Sequence, residues 1–357
     1  MTETGGVPRT PLAPGYDISR LIKGGWQLAG GHGRVDPREA IADMAAFVEA
    51  GVTTFDCADI YTGVEALIGA FLAEWRARHG AAAAERVQIH TKYVPDLVSL
   101  PVVTREDVGR AIDRSLMRLG VPHLDLVQFH WWDYEVPRYV DVAGWLEALR
   151  QAGKIRHLGV TNMDVPRLGE ILAAGVPIVA HQVQASVMDR RALGAMRDLC
   201  RAHGIQLLCY GAMGGGFVSE RWLDQPAPSE PLEHRSLTKY RLIIDEWGGW
   251  DRFQTLLRVL HGVAGRHGVR LSSVAARLVL DEPQVAGVIV GARNAAHLAA
   301  LQEVAGLDLD AADREAVAAL QREAPGPAGD VYALERVAGG PHAVIMRTNL
   351  AGRPEVA

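Results

Sequence analysis

The sequence predicts an α/β fold, a single (β/α)8 TIM barrel with a long loop after its seventh barrel strand and a C-terminal extension. Three observations carry that reading. From about residue 36, short β-branched runs alternate with longer amphipathic stretches, and such alternation implies parallel strands joined by crossover helices. The strands count to eight, which implies closure into a barrel. A doubly wound open sheet usually carries a GxGxxG turn after its first strand, and Gly24, Gly25, Gly30, Gly31 and Gly33 miss that spacing.

Each element has a local cause. Residues 21–26 read as the first barrel strand. Asp36-Pro37-Arg38-Glu39 then supplies a capping residue, a proline at the first helical position and a glutamate able to close a capping box, and Gly51 ends the helix. A strand at 53–56 and a helix at 63–79, closed by Gly80, come next. Strand 87–92, helix 104–119 with Thr104 and Asp107 as its capping pair, and strand 124–130 follow. The rhythm continues through helix 141–152, strand 157–161, helix 164–174, strand 179–184, helix 191–203 and strand 206–210. Helices near 249–267 and 272–281, strand 287–290 and helix 294–304 complete the set. Residues 214–248 are too long for a routine βα connection, and loops of that size usually serve a site; a substrate-side lid is expected there.

Composition bounds the function. With 357 residues, 48% hydrophobic and 22% charged, and a mean hydropathy near zero, the chain is an ordinary soluble globule. Lys and Arg number 37 against 42 Asp and Glu, so there is no basic footprint for nucleic acid. The three cysteines, Cys57, Cys200 and Cys209, form no CxxC pair and suit a reducing compartment. No charged start leads into an apolar run and no stretch is long enough to span a bilayer. A cytoplasmic protein without membrane contact is expected, and no heptad or repeat fixes an oligomeric state.

Catalytic groups in such a barrel sit where strands end at the carboxyl face, and the polar residues concentrate there. Strand two ends at Asp56, strand three at Lys92 and strand four at His130, while Tyr61 lies five residues after Asp56. The segments FDCADIY, IHTK, LDLVQFHW, GKIRHLGVTNMD, HQVQ, LLCYGAMGGG and VIVGARNAAHL resemble, in that order, the aldo-keto reductase superfamily over roughly residues 18–305. The resemblance implies a barrel that binds a nicotinamide cofactor and reduces carbonyls by hydride transfer, with a catalytic tetrad of Asp56, Tyr61, Lys92 and His130. The chemistry suits those residues. Charge developing on the carbonyl oxygen needs a positioned acid, which Tyr61 supplies. A free phenol has a pKa near ~10, and a lysine ammonium at ~4 Å contributes on the order of 4 kcal/mol toward the phenolate at an effective dielectric of ~20. Asp56 keeps Lys92 charged and aimed, and His130 is expected to donate to the carbonyl oxygen. Asp59 is the rival carboxylate. A metal site from His130, Asp56, Asp59 and His181 has no ligand spacing behind it, so no metal is expected.

The same resemblance implies cofactor contacts at Gly25 and Trp26, at Thr161, Asn162 and Gln182 for the carboxamide, and at Tyr210 as a stacking ring. Gly211, Met213 and Gly215 would follow the pyrophosphate, as glycine amides allow close approach. Gly291, Arg293 and His297 would lie at the last helix N-terminus, an anion site. Arg293 is the cation for a ribose 2′-phosphate, which favours NADPH, with NADH second. Trp26, Trp131, Trp132, Trp247 and Trp250 are the candidate wall for a bulky aromatic or lipophilic carbonyl substrate, with Asp133 and Arg241 as polar contacts. The competing function is a nicotinamide-binding, redox-sensing regulatory subunit with little turnover. Residues 1–325 are the catalytic barrel and 326–357 an extension predicted to pack on it near the cofactor end. Val331, Tyr332, Leu334, Val337, Val344, Ile345 and Met346 offer apolar surface for packing, and Arg336, Arg347 and Asn349 offer polar groups to a ligand.

Overall fold

In the computed structural model, which describes residues 6–30 and 32–349, ten strands fall into two sheets. Residues 350–357 of the predicted extension lie outside the described residues. Strands β1 (Arg9–Ala13) and β2 (Tyr16–Ser19) form an antiparallel hairpin, turned by Pro14-Gly15 with Gly15 at φ 71°. The other eight are β3 (Leu21–Gly24), β4 (Thr54–Asp56), β5 (Gln88–Tyr93), β6 (Leu124–Phe129), β7 (Ile155–Thr161), β8 (Ile178–Gln184), β9 (Gln206–Tyr210) and β10 (Val285–Val290). They pair in parallel in chain order, and β10 closes on β3. The hairpin plugs the amino end of the barrel: Leu12, Tyr16 and Ile18 pack against Leu126, Ala180 and Leu208, and the Tyr16 hydroxyl lies 3.1 Å from His90 Nε2.

Helices cover the outside. Asp36 caps Pro37–Glu49 by accepting from the amides of Arg38 and Glu39, and Thr104 with Asp107 closes a reciprocal capping box on Arg105–Leu119. Three expected elements differ. β3 stops at Gly24 because the Gly25 amide turns to donate to the Asp56 carbonyl at 2.7 Å, and Trp26–Leu28 is a 3-10 turn. The stretch 191–203 is broken at Gly194, so Arg191–Leu193 is a 3-10 turn before Ala195–Ala202. The helix near 294 starts with a 3-10 turn, Ala295–His297, and continues as Leu298–Gly306. The long 214–248 connection contains a helix, Arg235–Glu246. That helix shares a second apolar cluster with Trp250–His267, Leu271–Leu280 and Ala311–Glu323, built around Phe217, Trp247, Phe253 and Leu260. Among the described residues no helix is long and apolar enough to cross a membrane.

The tail crosses the carboxyl end of the barrel. Asp330 accepts from the Val165 amide at 2.8 Å, Arg336 donates to the carbonyls of Trp131, Trp132 and Asn162, and the Thr348 carbonyl accepts from Leu97. Val331 and Tyr332 are buried, whereas Val337 and Val344 stay exposed.

Three barrel histidines, His90, His130 and His181, are buried and pushed down to about 3, chiefly by loss of solvent. Each stays neutral in the folded chain, while in the unfolded chain it takes up a proton below about pH 6.5. Unfolding therefore binds protons between about pH 6.5 and 3, and stability falls as pH falls through that window. Denaturant midpoints taken at intervals from pH 7.5 to 5 should decline, and a flat profile would contradict the neutral, buried imidazoles.

Candidate active site

The four residues of the expected tetrad come from the ends of β4, β5 and β6 and the turn after β4. Asp56 and Lys92 are buried partners, with Lys92 Nζ 2.6 Å from Asp56 Oδ2. The same ammonium donates to the Cys57 carbonyl at 2.8 Å, so two of its three hydrogens are committed. It lies 5.3 Å from the centre of the Tyr61 ring. Tyr61 is set by a turn in which its amide donates to the Ala58 carbonyl, and its ring packs 5.2 Å from that of Trp26. Gly25 is required here: a Cβ would lie 2.9 Å from the Asp56 carbonyl oxygen and 3.0 Å from Val64.

The electrostatics depart from expectation in two places. Loss of solvent pushes the Tyr61 phenol above its ordinary value, with Lys92 pulling the other way and Asp56 adding to the rise. The ammonium thus offsets a desolvation cost rather than bringing the phenol down to neutral pH. His130 differs as well. Its Nδ1 lies 3.1 Å from the Thr161 carbonyl, an acceptor only, so Nδ1 carries the hydrogen and Nε2 of the neutral ring is a lone pair. That Nε2 is buried without a partner, and burial together with Arg336 holds the ring neutral. In this tautomer His130 accepts a hydrogen bond and cannot donate to a carbonyl oxygen.

Asp59 does not compete for Lys92. Its Oδ2 accepts from the Val94 amide, its Oδ1 is buried without a partner, and burial with Glu65 beside it raises the acid well above the usual range. His181 accepts from the Met163 amide, and among the described residues no three metal-binding side chains converge.

The expected cofactor residues divide. Asn162 stands at φ 57°, its Oδ1 accepting from the Tyr210 hydroxyl at 2.8 Å. Gln182 turns its amide nitrogen inward, to Asp56 Oδ1 at 2.6 Å and Gln128 Oε1 at 2.9 Å. Asn162 Nδ2 and Gln182 Oε1 have no hydrogen bond to a described residue. Side by side on paired strands, they are a donor and an acceptor that fit a carboxamide. Thr161 sits between them and His130, lending its carbonyl to the imidazole.

The glycine turn is engaged by the chain itself. A Cβ at Gly211 or Gly215 would collide with the ring of Tyr240, so these glycines admit Tyr240 from the helix Arg235–Glu246, with Met213 half-buried between them. One residue earlier, Lys239 places its ammonium 5.1 Å from the Tyr210 ring centre and 5.5 Å from that of Tyr332. At the turn into the helix Leu298–Gly306 the expected anion site is already served: Asp43 accepts from the Ala295 amide at 2.9 Å, and Asn294 accepts from Ala296. Arg293 is exposed and donates to the Arg34 carbonyl, Gly291 lies against the Gln27 amide, and His297 bonds back to Asn294. Lys23, buried beneath this turn and bonded to the Ala292 carbonyl at 3.3 Å, gave no sequence signal because its strand reads as apolar.

The aromatic wall is smaller than expected. Trp132 stands edge-on to His130 at 4.3 Å and Trp26 lies on Tyr61. Trp131 is buried behind the strand, bonded to the Val136 carbonyl. Trp247 is buried in the outer cluster with its indole on Ala324. Trp250 packs on Phe217, Trp222 and Phe253. These three are core or anchor residues, because each indole finds its carbonyl partner away from the tetrad. Asp133 caps a local turn and Arg241 pairs with Asp245, so neither reaches the site. Tyr332 takes the vacated place, 5.7 Å from His130 and edge-on.

The chain is similar to known proteins in sequence and in fold. Residues 20–322 match the profile of the "Aldo/keto reductase family". The chain is 30% identical over 260 residues to flagellar radial spoke protein 5 of Chlamydomonas reinhardtii, covering 63% of this chain and only about half, 49%, of that relative. It is 25% identical over 311 residues to aldo-keto reductase YhdN of Bacillus subtilis (strain 168), covering 84% and 89%. In fold it is similar to the glycerol dehydrogenase AKR11B4 from Gluconobacter oxydans, with a TM-score of 0.74 at 22% identity over 92% of this chain and 98% of that one.

Proposed function

The chain belongs to the aldo/keto reductase family, and from that premise and the site geometry we propose that it is an NADPH-dependent carbonyl reductase, reversible as an alcohol dehydrogenase. The observation that carries the reading is Lys92, fixed by Asp56 and the Cys57 carbonyl with its remaining hydrogen left for the Tyr61 side of the site. A bound nicotinamide supplies the hydride. Asn162 and Gln182 recognise its carboxamide with the two groups left unpaired, and Tyr210 presents its ring. Tyr61 gives the proton to the carbonyl oxygen, and the phenolate left behind is stabilised by Lys92. His130 then accepts a hydrogen bond from the new hydroxyl, which orients the product in reduction and the substrate in oxidation. Trp26 beside Tyr61, and Trp132 and Tyr332 beside His130, give the site aromatic surroundings, which suits a bulky aromatic or lipophilic carbonyl compound.

Preference for NADPH rests on Arg293, the exposed cation of the 291–294 turn, since Asp43 already fills the helix amide beside it. A charge-assisted contact to phosphate contributes about 1.5–3 kcal/mol, so Arg293→Ala should weaken NADPH roughly ten- to a hundredfold and leave NADH within about twofold. Quenching of tryptophan emission on titration with each cofactor measures both, and equal losses would refute a 2′-phosphate role. A second reading, a redox-sensing subunit with little turnover, is favoured by the burial of His130 Nε2 under the tail. Steady-state NADPH oxidation with a panel of aldehydes and ketones separates the two: continuous turnover establishes the reductase, and one slow turnover establishes the sensor.

A further inference from the structure

Asp56 carries more than the lysine. Its Oδ1 accepts from Gln128 Nε2 at 3.0 Å and from Gln182 Nε2 at 2.6 Å, and Gln128 Oε1 accepts from Gln182 at 2.9 Å. The two amides and the carboxylate form a closed ring of hydrogen bonds inside the barrel, with all three side chains buried. The topology makes room for it. Gln182 is on β8 and Gln128 on β6, and the strand between them, β7, has Gly159 in register with Gln128. A Cβ there would lie 3.4 Å from the Gln128 side chain and 2.9 Å from the Ala180 carbonyl. Without it, Gln182 reaches across a strand.

We infer that Gln128 is a positioning residue that ties the nicotinamide-recognising Gln182 to Asp56 and so holds Lys92 at Tyr61. This rests on the carbonyl reductase reading above. The amide donors occupy Asp56 Oδ1 and leave Oδ2 to Lys92, so the carboxylate cannot rotate away from the ammonium without breaking both amide bonds. Gln182 presents its carbonyl oxygen outward only while its nitrogen is held by Asp56 and Gln128. Cofactor recognition and tetrad geometry thereby share one side-chain ring.

Two neutral substitutions test it. Gln128→Met keeps length and removes both hydrogen-bonding ends, and Gln128→Leu removes the same ends with a shorter side chain; neither adds a charge beside Asp56. Fluorescence titration of each should show NADPH weakened about three- to tenfold, while 2′-phospho-ADP-ribose, which lacks the nicotinamide, stays within about twofold. Asp56 raises the Tyr61 phenol, and losing a donor exposes more of its charge, so the pH midpoint for alcohol oxidation should move up by about half a unit to one unit in both variants. A packing role alone would not move that midpoint. The inference is overturned if wild-type protein binds and turns over while the variants lose both ligands equally or keep the wild-type midpoint. Should Gln128→Met fail to fold, Gln128→Leu decides alone. Wild-type protein that neither binds NADPH nor turns over would instead bring down the reading on which the inference rests.

Discussion

Tyr61→Phe is expected to lower kcat for carbonyl reduction by about two to four orders of magnitude, the range for loss of a positioned general acid, with NADPH affinity within about twofold of wild type. The ring is kept, so its packing on Trp26 survives and only the proton donor is lost. That drop corresponds to about 2.7–5.4 kcal/mol of transition-state stabilisation. Direction of reaction should also show in the pH profiles. Burial holds the phenol above its ordinary range, so it stays protonated through neutrality and reduction should be flat there, while oxidation, which needs the phenolate, should climb into the alkaline range. Lys92→Met is a poorer test, since it strips a buried carboxylate of the cation paired with it and endangers the fold. Parallel steady-state assays in both directions check the expectation, and a Tyr61→Phe protein within twofold of the wild-type reduction rate would remove Tyr61 from the role of acid.

The barrel and the strand-end placement of the four expected tetrad residues were legible because each is marked locally in the sequence. Alternating periods announce strands and crossover helices, and a strand end is a place that chain order alone identifies. Asp56, Lys92 and His130 stand within one residue of their strand ends, and Tyr61 lies five residues after Asp56. What was not legible is what other segments bring to those positions. The amino-terminal hairpin has a turn signal at Pro14-Gly15, yet its partner is the barrel floor. The glycines at 211 and 215 read as a phosphate cradle, but the side chain they admit is Tyr240, which arrives from a helix inside a stretch that looked like loop. Trp131 and Trp132 follow His130 directly in the chain, and Trp247 and Trp250 stand at the end of the 214–248 connection, but nearness in sequence does not say which way an indole faces. Burial of Trp131 and Trp247 is decided by which carbonyl their indoles reach, and composition does not carry that. The His130 tautomer likewise depends on the Thr161 carbonyl across the β6–β7 pair.

The largest effect on stability is expected at Arg191, which lies far along the chain from the tetrad but fastens the tail over it. Its guanidinium donates to Asp189 at 2.8 and 3.0 Å and to Glu335 at 3.1 Å, with all three side chains essentially without solvent exposure, and Lys239 lies 3.9 Å from Glu335. Two buried carboxylates thus face one shared arginine. Arg191→Ala leaves both short of a partner, a change that costs about 3–5 kcal/mol in buried pairs. Part of that cost is avoidable, because Glu335 sits on a segment that can leave the surface locally. Tyr332 adds to the tendency, being held at φ 61°, a conformation that costs a bulky residue on the order of 1–3 kcal/mol unless its surroundings impose it. The expected result is a lower denaturant midpoint together with new protease cuts between residues 326 and 349. Acid should act in the same sense: Lys239 and Arg191 hold the Glu335 carboxyl below its ordinary value against burial, so its contribution is present above about pH 4.5 and is lost as pH falls through the lowered value. Glu335→Gln, which keeps volume and one hydrogen bond, should cost less, about 1–2 kcal/mol, and remove the acid dependence of tail release. Limited proteolysis followed by mass spectrometry reads the tail separately from the barrel, and an Arg191→Ala protein with a wild-type midpoint and a protected 326–349 segment would show that the buried cluster does not hold the strap in place.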